Sequence, residues 1–166
     1  PMRQFVHLHV HSQYSLLDGQ ASISKLVDKA IADGMPGIAL TDHGNMFGVK
    51  EFFNYINKKN GARRDRIKAL KEHIERLENG TATDKDKGDD ADAALAKART
   101  ELDSVPKADF KGIIGCEVYV ARRRLFNKEK AMGDYSGYHL ILLAKHITGY
   151  KNLIKIVSKA YTEGMY

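Results

Sequence analysis

The chain begins with a run in which histidines alternate with apolar side chains, and this run constrains the fold more than any other segment. Residues 5–11 read Phe-Val-His-Leu-His-Val-His. Because successive side chains of an extended chain point to opposite faces, this period of two predicts a β-strand. One face would carry Val6, Leu8 and Val10, and the other Phe5, His7, His9 and His11. The fold therefore has to place several imidazoles on one side of a strand.

The apolar residues that follow change between the helical and the extended period. Residues 23–31 carry apolar side chains at helical spacing, with Ser22 or Ser24 available as the N-terminal cap. Residues 37–41 predict a short buried strand, and a second helix follows it. That helix carries the apolar residues Val49, Phe52, Phe53 and Ile56. This order favours parallel strands joined by right-handed helical crossovers, with ligands bound beyond the carboxyl ends of the strands.

The same alternation resumes towards the end of the chain. Residues 112–120 and 138–144 predict two further strands, and residues 150–161 predict a helix with a strong apolar face. A basic loop at residues 122–137 separates the two strands. Its guanidinium groups can bind phosphate oxygens or lie solvated on the surface, and the sequence leaves both interpretations open. The whole pattern predicts an α/β fold.

Residues 61–109 differ in character from the segments on either side. They carry 11 Lys/Arg against 12 Asp/Glu, a sum of −1, whereas the whole chain has a net charge of +6. Two narrow apolar stripes flank a polar stretch, which predicts an antiparallel helical hairpin with solvated outer faces. The stripes are Ile67, Leu70, Ile74 and Leu77, then Leu95, Ala98, Leu102 and Val105. We interpret this hairpin as an insertion into one domain formed by residues 1–60 and 110–166. A solvated decoration is favoured over a partner-binding role.

Composition excludes several classes of protein. The 166 residues are 43% hydrophobic, which is enough for one packed core. A single cysteine, Cys116, excludes a disulfide framework and a thiolate zinc finger, and no run of about 18 apolar residues occurs. These features predict a soluble cytoplasmic protein. Its modest positive charge can attract phosphate-bearing partners such as nucleic acid, but proteins of this charge without such partners are common.

Six residues at strands or strand ends have side chains that bind metals. His9 and His11 project to the same side of the predicted strand, so that both imidazoles can reach one metal or two adjacent ones. Imidazole nitrogen with carboxylate oxygen suits zinc, manganese or iron better than calcium or magnesium. A cluster of such ions activates water and holds phosphate oxygens, which predicts phosphoester hydrolysis. The six predicted metal residues are His9, His11, Asp18, His43, Glu117 and His139.

Other polar residues near these positions are interpreted as structural. His7 and Asp42 are expected to hydrogen-bond to the ligands rather than to bind metal. Cys116 points to the strand face opposite Glu117, which favours a buried thiol. His73 and His146 receive no function.

Three segments resemble one known family. Residues 5–19, 39–48 and 149–161 are similar to motifs of the PHP (polymerase and histidinol phosphatase) domain, in the form carried by bacterial replicative DNA polymerases. The last of these motifs looks particular to the polymerase branch, which disfavours a stand-alone small-molecule phosphatase. The resemblance covers residues 3–60 and 110–166, and the hairpin has no counterpart in the shorter family pattern.

The resemblance implies both a fold and a function. It implies a distorted (βα) barrel that holds up to three metals, with the six residues above as ligands and zinc or manganese as the metal. It implies a parent protein that is a DNA-directed DNA polymerase, a nucleotidyltransferase of DNA replication whose partners are DNA and the other subunits of the replicative holoenzyme. Intact members of the family are associated with 3'-5' exonuclease or phosphatase activity. The alternative is a non-catalytic module that stabilises the polymerase.

The resemblance also implies that the chain is a fragment. Further family ligands, including an Asp-x-His pair, and the polymerase domain would lie beyond Tyr166. The fragment alone is then expected to form a partial barrel, to hold metal at partial occupancy and to be inactive. An unpaired sheet edge and uncovered apolar surface predict self-association.

Overall fold

A computed structural model describes residues 5–83, 90–121 and 137–164 of the chain. These residues form a mixed α/β structure with four helices and three strands, which confirms the predicted class. The elements in chain order are α1 (Ile23–Ala32), β1 (Gly37–Leu40), α2 (Val49–Glu78), α3 (Ala91–Ser104), β2 (Lys111–Val120), β3 (Tyr138–Leu143) and α4 (Ile147–Thr162). None of the helices in these ranges is long and apolar enough to cross a membrane.

The three strands lie in the order β1-β2-β3. β1 and β2 are parallel, with Leu40 opposite Ile114, as the alternation of strands and helices predicted. β3 is antiparallel to β2, with Ile141 opposite Glu117, so the expectation of parallel strands fails there. The physical reason is in the connection. Residues 121–137 carry no helical apolar repeat, and an antiparallel return needs no crossover helix.

The predicted first strand is not formed as a regular strand. The amide of Ala39 donates to the carbonyl of His7 at 2.9 Å, and the amide of Thr41 donates to the carbonyl of Val10 at 2.9 Å. The donors are two residues apart and the acceptors three, so residues 7–10 contain one extra residue beside β1, as in a bulge. This breaks the alternation of faces. Leu8, predicted to face the core, is 48% exposed.

The core lies between α1, β1 and the first turns of α2. Ser22 caps α1 by accepting a hydrogen bond from the amide of Lys25. Gly34 follows the helix with a φ of +73°, a conformation that glycine adopts without a steric penalty. The core consists of Ile23, Val27, Ala30, Ile38, Leu40, Phe52 and Ile56. Phe53, the neighbour of Phe52 on α2, lies outside this core and is 53% exposed.

The chain divides into two compact units, Pro1–Ile56 with Phe110–Tyr166, and Asn57–Asp109. Helix α2 begins in the first and ends in the second without a break at Gly61. Within the second unit, Leu77, Ala98 and Val105 are buried. Ion pairs from Arg66 to Glu101 and from Arg99 to Glu78 connect α2 with α3.

Helix α4 buries less than its apolar pattern predicted. Leu153 is buried, whereas Ile154 and Tyr161, which were expected on the same face, are 41% and 49% exposed. On β3, Tyr138 and Leu140 are also exposed. Apolar surface therefore remains uncovered on both elements.

Candidate metal centre

Glu117 is the centre of the cluster of predicted metal residues. It lies on β2 and only 1% of its surface is exposed. Beyond the end of β1, His43 pairs with Glu117 in an isolated parallel bridge. The amide of Glu117 donates to the carbonyl of Asp42 at 3.1 Å, and the amide of Gly44 donates to the carbonyl of Glu117 at 2.8 Å. The loop that carries His43 is therefore fixed beside the buried carboxylate.

Three histidines contact the two oxygens of Glu117. Its Oε2 lies 2.6 Å from Nε2 of His9 and 2.5 Å from Nε2 of His11. Its Oε1 lies 2.5 Å from Nδ1 of His139. The Nε2 atoms of His9 and His11 are 3.2 Å apart. Two nitrogens and one carboxylate oxygen thus converge on one point despite the bulge in the histidine run.

The histidines keep Glu117 ionised. Burial by itself raises the pKa of this carboxyl, but hydrogen bonds from His9 and His11, together with the charges of His11 and His139, outweigh burial and lower the pKa below its ordinary value. A buried carboxylate that remains charged attracts cations.

Asp18 and His43 extend the cluster. Nδ1 of His43 lies 2.7 Å from Oδ2 of Asp18 and 4.0 Å from Oε1 of Glu117. This Nδ1 atom is buried. It lies close to Asp18 but makes no hydrogen bond to any described residue, because its N–H direction is not aligned with the carboxylate oxygen. The His43 ring also lies 5.7 Å from that of His11, centre to centre.

The donor atoms form two groups that share His11. His9, His11 and Glu117 form one group, and His11, Asp18 and His43 form the other, each with all donor atoms within 4.8 Å of one another. His139 joins neither group and reaches the cluster through Glu117. The structure therefore brings all six predicted residues together through direct contacts.

The donor set fits a metal ion of the predicted chemistry. Each group mixes imidazole nitrogen with carboxylate oxygen, the ligands preferred by zinc, manganese and iron. The buried Nδ1 of His43, which faces a carboxylate without a hydrogen bond, is a donor atom that a cation would satisfy. The group can hold a metal ion.

Asp42 is buried beside His43, and its carboxylate is hydrogen-bonded to two serines of the loop that follows His11. One of its oxygens accepts hydrogen bonds from the Ser12 amide at 2.6 Å and the Ser15 hydroxyl at 2.7 Å, and both accept from the Ser12 hydroxyl at 2.9 Å. The Ser15 hydroxyl in turn accepts from the amide of His43 at 2.9 Å. This agrees with the orienting role inferred for Asp42. The two serines were missed, although their position between His11 and Asp18 was visible in the sequence.

Tyr119 is a further residue that the sequence analysis missed. It lies two residues after Glu117 on β2, and its hydroxyl is hydrogen-bonded to Nε2 of His43. Its ring lies 4.6 Å from that of His139 at 86°. Partial burial and the charges of Glu117 and Asp18 raise the pKa of Tyr119, so the phenol stays protonated. The period of two along β2 could have placed it on the face of Glu117.

The remaining polar residues contribute no donor atom to the cluster among the described residues. Cys116 is fully buried with its thiol directed at the carbonyl of Asp42, and burial with the two nearby carboxylates raises its pKa to about 11. It is a protonated, structural thiol. His7 lines a shallow cavity with Leu26 of α1, and His146 caps α4 by accepting from the amide of Gly149. The basic residues 122–130 lie outside the described residues.

Comparisons with known proteins identify the family of the chain. The profile of the PHP domain matches residues 7–166, and the chain belongs to the PHP domain family. Its relatives include DNA polymerase III subunit alpha of Treponema pallidum (strain Nichols), 37% identical over 98% of this chain and 10% of the relative. The same subunit of Borreliella burgdorferi is 37% identical, again over 98% and 10%. That of Thermus aquaticus is 34% identical over the same shares.

These similarities lie in the N-terminal region of the polymerase subunits. The chain spans about a tenth of the length of the relatives it matches.

Proposed function

We propose that the chain is the N-terminal PHP-domain region of a bacterial DNA polymerase III alpha subunit. The intact domain would hydrolyse phosphoesters, with 3'-5' exonuclease polarity, at a multinuclear metal centre to which this chain contributes ligands. The observation that supports this most strongly is the convergence of three histidines on the buried carboxylate of Glu117. The parent protein would be a DNA-directed DNA polymerase acting in the cytoplasm. Its partners would be DNA and the other subunits of the replicative holoenzyme.

The proposed ligands are the six clustered residues. His9, His11 and Glu117 would hold one ion, and His11, Asp18 and His43 a second, with His139 completing the shell through its contact with Glu117. Nitrogen and oxygen donors favour zinc or manganese. Such ions supply Lewis acidity that activates water and stabilises charge on phosphate oxygens.

The chain's own residues prepare this chemistry. Glu117 stays ionised inside the protein, and Asp42 holds the loop between His11 and Asp18 through buried hydrogen bonds. The side chains of His9 and His139 are 53% and 52% exposed, so solvent and a phosphoester can approach the cluster from that side. The site is thus held by buried hydrogen bonds on one side and is open to solvent on the other, as hydrolysis of a large substrate requires.

The proposal extends to the architecture. The parallel pair β1 and β2, with residues 7–10 hydrogen-bonded along β1, supports a distorted (βα) barrel of which this chain supplies part. Residues 61–109 would be a helical insertion into it, since Asn57–Asp109 form a compact unit of their own. Exposed apolar residues on β3 and α4 support self-association of the isolated chain.

The test uses the full-length polymerase subunit that contains this chain. Metal content is measured by mass spectrometry, and hydrolysis is followed with a 5'-labelled single-stranded oligonucleotide, for wild type and for His11→Ala and Glu117→Gln. His73→Ala, in α2 of the second unit, is the matched control. We expect bound metal and stepwise 3'-5' shortening in wild type and control, and loss of both in the two site variants.

The competing function, a non-catalytic module that stabilises the polymerase, predicts a different result. The contacts of buried Glu117 with three histidines can themselves stabilise the folded state, which supports this alternative. In that case the site variants would lose thermal stability and polymerase activity together, and wild type would show no metal-dependent hydrolysis. That outcome would replace the hydrolytic proposal.

A further inference from the structure

The contact between Tyr119 and His43 defines which nitrogen of this histidine is free. The Tyr119 hydroxyl is hydrogen-bonded to Nε2 of His43, and the ring centres are 4.9 Å apart. The other ring nitrogen, Nδ1, points towards the carboxylates of Asp18 and Glu117. The two nitrogens therefore face a neutral phenol on one side and two carboxylates on the other.

The tautomer of His43 follows from these two environments. A neutral imidazole carries one N–H and one lone pair. Nδ1 lies 2.7 Å from Asp18 Oδ2 but out of alignment with it, so a proton on Nδ1 would leave this buried N–H without a hydrogen bond to any described residue. With the proton on Nε2, this nitrogen donates to the Tyr119 oxygen and Nδ1 presents its lone pair beside the Asp18 carboxylate. Two electron-rich atoms then face each other, which is an arrangement that a cation between them stabilises.

We propose that Tyr119 is a positioning residue that holds His43 in the tautomer with the proton on Nε2 and so directs Nδ1 at the metal shared with Asp18. The proposal rests on the proposed metal-binding function. Metal-bound histidines generally donate their second N–H to a partner that fixes ring orientation, most often a carboxylate, a carbonyl or water. Here a phenol takes that place.

Tyr119 also restrains a second histidine of the cluster. Its ring meets the His139 ring edge to face, with centres 4.6 Å apart at 86°. His139 in turn contacts His43, with ring centres 5.5 Å apart. Replacing Tyr119 by phenylalanine keeps this ring packing and removes only the oxygen, so the substitution isolates the hydrogen bond to His43.

The test compares the full chain with its Tyr119→Phe variant, and Tyr161→Phe is the control because both tyrosines are 49% exposed. The first readout is the pair of ring-nitrogen chemical shifts of His43 in metal-free protein, measured by long-range proton-nitrogen NMR. The second is the Kd for Mn²⁺ and for Zn²⁺, measured by calorimetry.

We expect wild type and Tyr161→Phe to carry the His43 proton on Nε2, and Tyr119→Phe to show both tautomers. We also expect Tyr119→Phe to bind metal about 10- to 100-fold more weakly, the usual effect of removing such a partner. A wild-type His43 with its proton on Nδ1 would overturn the proposal whatever the variants do. So would unchanged tautomer and Kd in Tyr119→Phe.

Failure of the proposed function would look different. Wild type would then bind neither ion, while the chemical shifts of His43 would still decide whether Tyr119 selects the tautomer.

Discussion

Asp42→Asn tests whether the loop between His11 and Asp18 is held by a buried carboxylate. The carboxylate is 1% exposed and accepts hydrogen bonds from three donors: the Ser12 amide, the Ser12 hydroxyl and the Ser15 hydroxyl. Asparagine has nearly the same shape but carries no charge, and it presents an NH₂ group where the carboxylate presents an oxygen. The substitution therefore changes the charge and the acceptor pattern with little change in packing.

The expected cost follows from the number of bonds. Hydrogen bonds to a charged group contribute about 1.5–3 kcal/mol each and neutral ones about 0.5–1.5 kcal/mol, so each of the three donors loses roughly 1 kcal/mol. We expect Asp42→Asn to lower the free energy of unfolding by about 3 kcal/mol. For a protein of this size the melting temperature should fall by roughly 6–12 °C.

The assay is urea unfolding followed by circular dichroism, with amide hydrogen exchange of Ser12 as a local probe. Asp33→Asn is the control, because Asp33 forms an exposed ion pair with Lys29 on α1 and should cost less than about 0.5 kcal/mol. The reasoning is refuted if Asp42→Asn matches this control and the Ser12 amide stays equally protected.

Three further substitutions give smaller effects. Leu17 is fully exposed and has a φ of 76°, a backbone conformation that glycine adopts without strain. Leu17→Gly should therefore raise the free energy of unfolding in urea by up to about 1 kcal/mol. Leu16→Gly is the control and should not do so, and equal effects of the two substitutions would contradict this. Gly61 lies inside α2, where a Cβ would meet no atom within 4 Å. Gly61→Ala should therefore stabilise the second unit by about 0.5–1 kcal/mol in thermal unfolding, and a lower melting temperature would count against this. Folding raises the pKa of the Cys116 thiol from 9.0 to about 11. The protonated thiol therefore contributes fully to the free energy of unfolding below pH 9, and this contribution is lost as the pH rises towards 11. Wild type should lose more stability over that range than Cys116→Ala, and parallel pH curves would argue against this.

The helices and the residue types of the site were predictable because they depend on local patterns. The helical period of residues 23–31 correctly predicted α1, and the order of strands and helices correctly predicted the parallel pair β1 and β2. Parallel strands end on the same side of a sheet, which explains why residues distant in sequence, such as His43 and Glu117, meet.

Other features depend on pairing between segments, which local patterns do not record. The bulge at residues 7–10 arises from hydrogen bonding to β1, so the alternation of residues 5–11 was misread as a regular strand. The direction of β3 depends on its partner β2. The contact of Tyr119 with His43 likewise exists only once both backbones are placed.

The central claim is that the clustered histidines and carboxylates form one metal centre around Glu117. The most direct measurement is calorimetric titration of the untagged, chelator-treated chain with Mn²⁺ and with Zn²⁺, comparing wild type, Glu117→Gln and the control Glu101→Gln. Glu101 belongs to an ion pair with Arg66 in the second unit. We predict saturable binding in wild type and control, and at least roughly tenfold weaker binding in Glu117→Gln, because this carboxylate contacts three of the histidines. Equal binding by all three proteins, or no binding by wild type, would contradict the account.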